Sequence, residues 1–291
     1  MRIYLSIRPK GKGGGSNTFA GLFKSFALRA GHRIVERPEN ADLAIVIAHL
    51  AEEEELRAAR RHGCIVLHRL DEYFETDETP ARREKHEKII SLNRLADITI
   101  YQSHFVFENA HPYLKASKYR IIHNGGDRKR FKPAAAPGRY IGHVGWGIDG
   151  KKRLDLLYEF ICRHSEQQFL LVGRHQEHAL NFKALPNVSL AGAVGHWRLP
   201  GYYRKMKMLY FPSERDPCPN TVVEAILSGV PVCYSPEGGG SVELTRDCGV
   251  PLECVESMLP VLPTYRDRCL RRDDLSFESV FQQYMDAARE V

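Results

Sequence analysis

The sequence predicts an α/β protein that consists of two βαβ domains. Short apolar runs rich in Ile, Val, Leu and Tyr alternate with segments of helical periodicity along the chain, which is typical of parallel sheets covered by helices. The runs are continuously apolar, as in strands that are buried on both faces. This alternation of apolar runs and helical segments is interrupted once, at the Pro- and Ala-rich segment 132–138, and then continues. A length of 291 residues fits two domains of ordinary size.

The predicted elements of the first half are five strands and two clear helices. The strands are 2–8, 43–48, 64–68, 97–101 and 119–122, and the helices are 17–30 and 51–61. The acidic run 52–55 lies near the start of the second helix, where the helix dipole favours negative charge.

The second half repeats the pattern. Strands are predicted at 139–144, 168–172, 187–190, 208–211 and 231–234, with helices that include 153–163 and 220–228. A tail helix at 275–289 places six apolar residues near one face: Leu275, Phe277, Val280, Phe281, Tyr284 and Ala288. Such a face must pack on another part of the protein.

Composition and charge narrow the class of protein. With 43% hydrophobic and 10% aromatic residues, the chain can bury a sizeable core. The seven cysteines are scattered and contain no C-x-x-C pair, so we expect free thiols in a reducing, cytoplasmic compartment. Residues 1–135 carry a net charge of +7 and the remainder −1. A basic first half suits an anionic partner such as the inner membrane surface, and a solvated basic surface fits equally well.

Neither a signal peptide nor a transmembrane segment is predicted. The apolar run near the start is too short for a signal peptide, and no stretch approaches about 20 apolar residues. A nucleic-acid partner is not expected, because the basic residues lack interleaved aromatic side chains that could stack on bases.

A glycine-rich loop follows the first predicted strand. Gly11, Gly13, Gly14 and Gly15 precede a helix that begins near Asn17. Glycine lets the backbone approach a ligand closely, and the free N–H groups of a helix N-terminus attract phosphate. The spacing is neither the dinucleotide-binding G-x-G-x-x-G nor a P-loop. A phosphate contact and a plain surface turn both fit this loop.

Basic residues stand between a strand and a helix in the second half. The strand 139–144 is followed by glycines, and Lys151, Lys152 and Arg153 precede the next helix. Ligands of open α/β sheets bind at the carboxyl ends of strands, where Lys and Arg can neutralise a diphosphate. A solvated surface charge is the alternative for each of these three residues.

Acidic residues surround the start of the helix 220–228. Glu214 and Asp216 precede it, and Glu224 lies one turn inside, where a carboxylate can accept hydrogen bonds from ribose hydroxyls. Asn220 is predicted to cap this helix, with its amide and that of Thr221 free for a ligand. After the strand 231–234, a second glycine loop able to bind phosphate consists of Gly238, Gly239 and Gly240.

Together these motifs resemble the signature of the GT-B-fold, family 4-like retaining glycosyltransferases of group 1. In that family an acid-x7-acid motif opens a helix and is followed by EA-small-x-G-x-PV and GG-x-x-E. The matching residues here are Asp216, Glu224, Ala225, Gly229, Pro231, Val232, Gly239, Gly240 and Glu243. The segment 124–131 resembles the hinge of the family, through Asn124, Gly125, Asp127 and Phe131, and 140–157 resembles its phosphate-lysine segment. The similarity is close over about 115–245 and looser in the N-terminal half.

The resemblance implies a fold of two Rossmann-like domains that face each other across a cleft. The expected domains are an acceptor-side domain, 1–135, and a donor-binding domain, 136–274. The tail helix, within 275–291, is expected to cross back to the first domain. The implied enzyme is a hexosyl-type glycosyltransferase that moves a sugar from a UDP- or GDP-sugar to a hydroxyl of an unknown glycan, lipid or small-molecule acceptor.

The resemblance also assigns roles to residues. Glu224 would hold the ribose and Asp216, an Asp where the family usually has Glu, would lie near the transferred sugar. The diphosphate would be held by basic groups and loops, without cofactor or metal, in agreement with the absence of a D-x-D motif. The backbone around Arg174 and 192–195 would lie near the base. His143 stands where the family usually has Arg or another phosphate binder. The remaining donor-binding residues are Lys152, Asn220, Thr221, Gly14, Gly15, Gly239, Gly240 and His143.

Asp71 is a second catalytic candidate. It follows the strand 64–68, so it is expected at the edge where ligands bind, beside Tyr73. His68 and Arg69 share that position, although a His on an apolar strand is more often a core residue. Ser103 and Asn93 are weaker candidates, since capping explains them equally well.

Two other classes of protein remain open from the sequence. A nucleotide-sugar epimerase also uses Rossmann-like units and would interconvert donor epimers. A non-catalytic module that binds sugars or anionic surfaces would bind anionic liposomes and show no affinity for a donor.

Overall fold

A computed structural model describes residues 1–8, 14–72, 74, 79–147 and 150–291. The chain divides into two compact units, a first unit of Met1–Gly125 with Phe277–Val291 and a second unit of Gly126–Ser276. Gly11, Gly13 and Tyr73, which the sequence analysis singled out, lie outside the described residues.

The first unit is a parallel six-stranded sheet with helices in the connections. Its strands are β1 (Arg2–Leu5), β2 (Arg33–Val35), β3 (Leu43–Ile47), β4 (Ile65–Leu70), β5 (Ile98–Tyr101) and β6 (Tyr119–Ile121). They lie in the order β2-β1-β3-β4-β5-β6, and every pairing is parallel. The connecting helices are α1 (Gly15–Arg29), α2 (Glu53–Arg61), α3 (Pro80–Asn93) and α4 (His104–Leu114). The central strand β3 is buried over its whole length, as strands covered on both faces are.

The second unit has the same architecture with a different strand order. Its strands are β7 (Tyr140–Gly145), β8 (Phe169–Gly173), β9 (Val188–Gly192), β10 (Met206–Phe211), β11 (Val232–Tyr234) and β12 (Gly249–Pro251). The parallel order β12-β11-β10-β7-β8-β9 reverses between β7 and β10. Its helices are α5 (Leu154–Arg163), α6 (Leu199–Tyr203), α7 (Asn220–Leu227), α8 (Gly240–Thr245), α9 (Val255–Met258) and α10 (Leu262–Leu270). The predicted α/β class with two Rossmann-like halves is confirmed.

The last helix, α11 (Phe277–Arg289), belongs to the first unit. Its aromatic side chains pack on α1, with ring centroids 5.8 Å apart for Phe277 and Phe19 and 5.1 Å apart for Phe281 and Phe23. Leu275 was predicted on the same face, but it is buried in the core of the second unit. The helix begins two residues later, at the point where the chain passes from one unit to the other.

The division between the units falls at Gly125–Gly126 rather than at the predicted residue 135. Residues after Gly125 pack within the second unit: Phe131 is buried in its core, and the N–H of Gly126 donates a hydrogen bond of 2.9 Å to the carbonyl of Leu275. The Pro- and Ala-rich segment is therefore attached to the second unit, and Arg266 donates a hydrogen bond to the carbonyl of Ala134 within it.

In the part of the chain that the structure describes, no helix is both long enough and apolar enough to cross a membrane.

Candidate functional site

The predicted donor-binding residues of the second unit come together at one edge of its sheet. Because all six strands are parallel, the loops that follow their carboxyl ends meet at the same edge. The segment after β7 carries Lys152, the loop after β10 carries Asp216, and the loop after β11 carries Gly240. Neighbouring β7 and β10 are the strands at which the strand order reverses, which is where open α/β sheets bind ligands.

Lys152 and Asp216 form an ion pair across this switch point. The ammonium nitrogen Nζ of Lys152 lies 3.5 Å from Oδ2 of Asp216. The exposed fraction is 27% for the Lys152 side chain and 20% for that of Asp216. Burial raises the pKa of Asp216, while the charge of Lys152 and a hydrogen bond from the backbone of Cys218 act in the opposite direction. A partly buried cation that solvent can reach is suited to bind an anion such as phosphate.

The two segments that carry this pair are also bonded to each other. The N–H of Glu214 donates a hydrogen bond of 2.8 Å to the carbonyl of Lys151, and Arg153 forms an ion pair with Glu214. The carboxylate of Glu214 is therefore bound by this arginine and is only partly exposed. Arg153, which follows Lys152, and Arg215, which precedes Asp216, both have left-handed backbone, with φ of 45° and 51°. This conformation is costly, and only the surrounding structure can maintain it.

The glycine loop after β11 packs on the loop after β10. The N–H of Gly240 donates a hydrogen bond of 2.8 Å to the carbonyl of Asp216, and the N–H of Asp216 donates one of 3.2 Å to the carbonyl of Gly238. A Cβ atom at position 240 would overlap the carbonyl oxygen of Pro217. Gly240 is thus required for the close approach of the two loops. Its N–H is already bonded to Asp216, which contradicts the prediction that it donates a hydrogen bond to phosphate.

Helix α7 begins at Asn220, one residue earlier than a capping role for Asn220 requires. Pro219 occupies the N-cap position, and no side chain of the described residues caps this helix end. The carbonyl of Pro219 accepts from the N–H groups of Val222 and Val223 at 3.1 and 3.3 Å. The amides of Asn220 and Thr221 lie in the first turn, where a helix has no internal acceptor for them. The predicted cap is therefore wrong, while the predicted amide positions are at the helix N-terminus.

Glu224 is buried and bonded by two side chains. Its Oε1 accepts a hydrogen bond of 2.7 Å from Nε2 of His196, and its Oε2 accepts one of 3.0 Å from the hydroxyl of Tyr203. Only 7% of the Glu224 side chain is exposed, against 40% for His196. Burial and the adjacent carboxylate raise the pKa of Tyr203 well above its ordinary value, so its hydroxyl stays protonated and donates.

His143 was predicted among the donor-binding residues, but it is a buried core residue. It lies inside β7 with 1% of its surface exposed, and its Nδ1 shares a hydrogen bond of 2.7 Å with Nε2 of His175. Burial lowers the pKa of His143 well below its ordinary value, and the neighbouring His175 and Lys152 lower it further. The ring is therefore neutral and belongs to the core under the site.

Arg174 follows β8 and is exposed, and its guanidinium is engaged by Glu177. Nε lies 2.9 and 2.8 Å from the two carboxylate oxygens of Glu177. The preceding Gly173 has a φ of +133°, and a Cβ atom there would overlap the carbonyl oxygen of Gly145. The ends of β7 and β8 therefore approach closely beside Arg174.

In the first unit, the predicted glycine loop and Asp71 meet through a residue that sequence reasoning missed. Gly14, with a φ of +100°, precedes α1, and Gly15 is its first residue. The hydroxyl of Ser16 in the first turn donates a hydrogen bond to Oδ2 of Asp71. Asp71 also accepts one of 3.1 Å from the buried Arg69. Helix α1 and the segment after β4 are thereby joined at the carboxyl edge of this sheet.

Arg69 is held from several sides. Its NH2 group donates a hydrogen bond of 2.9 Å to Oδ1 of Asn124, and its guanidinium carbon lies 4.1 Å from the centre of the Phe19 ring. Its Nε is buried and has no hydrogen-bond partner in the part of the chain that the structure describes. Arg69 therefore fixes the position of Asp71 from within the core.

The weaker candidates of the first unit have structural roles. The Nε2–H of His68 donates to the carbonyl of Ala48 at 2.8 Å, and its Nδ1 accepts from Asn93 at 3.0 Å. Burial lowers the pKa of His68 to about 4, so it is a neutral core residue. Ser103 caps α4 and accepts a hydrogen bond of 3.0 Å from the N–H of Val106.

His196, Tyr203 and Ser16 are site residues that the sequence analysis did not find. His196 and Tyr203 stand far before Glu224 in the chain, and no spacing rule connects them. A signal was present only for Ser16, since it directly follows the predicted glycine loop at a predicted helix start.

Residues 138–257 match the model of the family described as Glycosyl transferases group 1. The match lies within the second unit and includes Lys152, Asp216, Glu224 and Gly240. It confirms the resemblance to group 1 glycosyltransferases that the motifs indicated. Among curated proteins, no sequence matches the chain.

The fold is similar to that of glycosyltransferases of known structure. HepE from Anabaena, in complex with UDP, is 14% identical with a TM-score of 0.73, and the alignment covers 100% of both chains. Sucrose-phosphate synthase from Thermosynechococcus elongatus is 18% identical with a TM-score of 0.68, over 96% of this chain and 80% of that one. AviGT4, a glycosyltransferase involved in avilamycin A biosynthesis, is 13% identical with a TM-score of 0.69, over 99% and 97%. Likeness at these identities shows the fold, which is GT-B.

The chain therefore has the GT-B fold, and a segment of its second unit matches the model of group 1 glycosyltransferases.

Proposed function

We propose that the protein transfers a hexosyl group from a nucleoside-diphosphate sugar to an acceptor hydroxyl, with retention of configuration and without a metal ion. The observation that carries the proposal is the Lys152–Asp216 pair. It stands at the switch point of a sheet whose sequence matches group 1 glycosyltransferases. A cation and an acid are thus adjacent at the edge where a diphosphate sugar would bind.

The proposed chemistry follows from the charge that develops on the leaving group. When the bond between sugar and diphosphate breaks, negative charge builds up on the phosphate oxygens. The Lys152 ammonium and the first-turn amides of Asn220 and Thr221 would stabilise it, as preorganised donors do in other transfer reactions. Asp216 would accept hydrogen bonds from the transferred sugar, and Glu224 would accept them from the ribose.

A UDP-hexose is the donor that we propose to test first. Structures of HepE from Anabaena contain UDP, UDP with glucose, and UDP-glucose. They support the choice of a UDP-sugar, with GDP-sugars as the alternative that the sequence left open. Gly14, Gly15, Gly239 and Arg174 stay proposed donor contacts, and the acceptor and any contact with an anionic membrane stay predictions.

The proposal is tested by incubating purified protein with a panel of UDP- and GDP-hexoses, with and without EDTA. We expect slow release of the nucleoside diphosphate from one donor, undiminished by EDTA. Once an acceptor is found, NMR of the anomeric proton of the product reads the configuration. If no donor of the panel binds, or if one donor is converted to its epimer, the proposed function is wrong.

Replacement of Lys152 tests the site itself. Lys152→Ala should weaken UDP binding by roughly tenfold to a hundredfold, since a hydrogen bond to a charged group contributes about 1.5–3 kcal/mol. Lys151→Ala is the matched control, because it removes the same charge from an exposed neighbour and should change the affinity by less than about threefold. Calorimetric titration with UDP measures both. Equal losses in the two variants would show general electrostatic attraction and contradict the assignment of Lys152.

A further inference from the structure

The carboxylate of Glu224 is held at both oxygens by side chains of its own unit. His196 donates to Oε1 at 2.7 Å, and Tyr203 donates to Oε2 at 3.0 Å. An ionised carboxylate can accept about four hydrogen bonds, two at each oxygen. Among the described residues, these two contacts therefore leave one acceptor position at each oxygen.

The two donors are fixed in different ways. Tyr203 is fully buried, and its raised pKa keeps the hydroxyl protonated. His196 is two-fifths exposed, and its ring packs against Phe131 with centroids 5.8 Å apart. The Phe131 ring also contacts Tyr203, at 5.9 Å. One aromatic side chain thus packs on both donors, and of the two only His196 reaches solvent.

We propose that His196 is a positioning residue for ribose, which with Tyr203 fixes the Glu224 carboxylate so that its two remaining acceptor positions receive the 2′- and 3′-hydroxyls of the donor nucleotide. A vicinal diol supplies two O–H donors, which matches the two positions that are left. The inference rests on the proposed function, in which Glu224 holds the ribose, and it adds the residues that orient Glu224. Without the contact to His196, only the hydrogen bond from Tyr203 would orient the carboxylate about its Cγ–Cδ bond.

The test compares a ribonucleotide with its 2′-deoxy analogue, because a merely structural role of His196 would weaken both equally. His196→Phe keeps a ring against Phe131 and removes the N–H donor. His196→Gln keeps an N–H donor at a similar reach. Calorimetry with UDP and 2′-deoxy-UDP, or with the guanine pair if the protein prefers GDP, gives the ratio of the two dissociation constants for each variant.

We expect the wild type to prefer the ribonucleotide by about tenfold or more, as for a hydrogen bond to a charged group. His196→Phe should reduce this preference to less than about threefold, and His196→Gln should restore most of it. Tyr203→Phe, if its melting temperature shows that it is folded, should reduce the preference in the same way.

The outcomes separate this inference from the function on which it rests. If the wild type binds neither UDP nor GDP, the proposed function fails and the inference fails with it. If the wild type binds with a ribose preference that His196→Phe retains, the inference is wrong and the proposed function stands. Tighter ribonucleotide binding by His196→Phe would also overturn it, because His196 would then compete with the ribose for Glu224.

Discussion

Asp216 and Lys152 modify each other's charge at the site. Burial favours the protonated form of Asp216, and Lys152 favours the ionised form. The ammonium group at 3.5 Å in turn has part of its charge offset by the carboxylate. The ion pair therefore holds the Lys152 side chain in place, but it also weakens the attraction of Lys152 for an anionic ligand.

Substitution of Asp216 should separate binding from transfer. Asp216→Asn removes the negative charge and keeps the size of the side chain, so Lys152 becomes more attractive to a diphosphate. We expect UDP to bind a few-fold more tightly, in the range of roughly 0.5–1 kcal/mol for a partly exposed pair, while sugar transfer becomes slower. Calorimetry and a UDP-release assay measure the two quantities. A variant that binds UDP more weakly would show that Asp216 helps to hold the diphosphate.

The sequence could predict that Asp216 and Glu224 lie near each other, because they are separated only by a loop and the first turn of α7. It could predict that Lys152 lies at the same edge of the sheet, because Lys152 follows a strand. It could not locate His196 as the partner of Glu224, since that contact depends on how the segment after β9 packs near α7. His143 was predictable in part. The prediction that His143 binds the donor rested on the family resemblance, whereas an interior position of a strand that is buried on both faces is itself buried.

At the scale of elements, two loops form one surface because glycines allow their backbones to touch. The loop after β11 lies against the loop after β10 through backbone hydrogen bonds at Asp216, Gly238 and Gly240. The ion pair of Asp216 depends on the conformation of this combined surface. Packing of the loops is thus a condition for the geometry of the site.

Gly240→Ala should disturb this surface. The added methyl group would overlap the carbonyl oxygen of Pro217, which is backbone and cannot swing away. We expect a loss of about 1–3 kcal/mol in the free energy of unfolding together with a clear loss of UDP affinity. Gly201→Ala in α6 is the control, because the nearest atom to its Cβ would be 4.0 Å away. Urea unfolding and calorimetry measure both variants, and equal behaviour of the two would refute the packing argument.

Strand prediction failed at two of the four edge strands. Neither β2, Arg33–Val35, nor β12, Gly249–Pro251, was predicted. Both have only three residues and lie at the edge of their sheets, so neither contains a run of apolar residues that the sequence could reveal. The tail helix was found from its apolar face, but its first residue depended on where the chain leaves the second unit.

At the scale of the whole molecule, each unit encloses a histidine that burial keeps neutral. His68 lies in β4 of the first unit and His175 follows β8 of the second, and the pKa of each is lowered from 6.5 to about 4, first of all by burial. In the unfolded chain these rings bind protons near pH 6.5. Between pH 6.5 and 4 the unfolded state therefore binds more protons than the folded state, and stability falls as the pH falls through this range.

Acid destabilisation should accordingly depend on His68. The loss reaches about 1.4 kcal/mol for each pH unit and each histidine, so His68 contributes on the order of 3 kcal/mol between neutral pH and pH 4. His68→Gln cannot be protonated, keeps an N–H that can donate to the carbonyl of Ala48, and should flatten the pH dependence of unfolding. His62→Gln, at an exposed position, should leave it unchanged. Urea unfolding from pH 7 to 4 measures the slopes, and an unaltered slope for His68→Gln would show that other groups account for the loss of stability in acid.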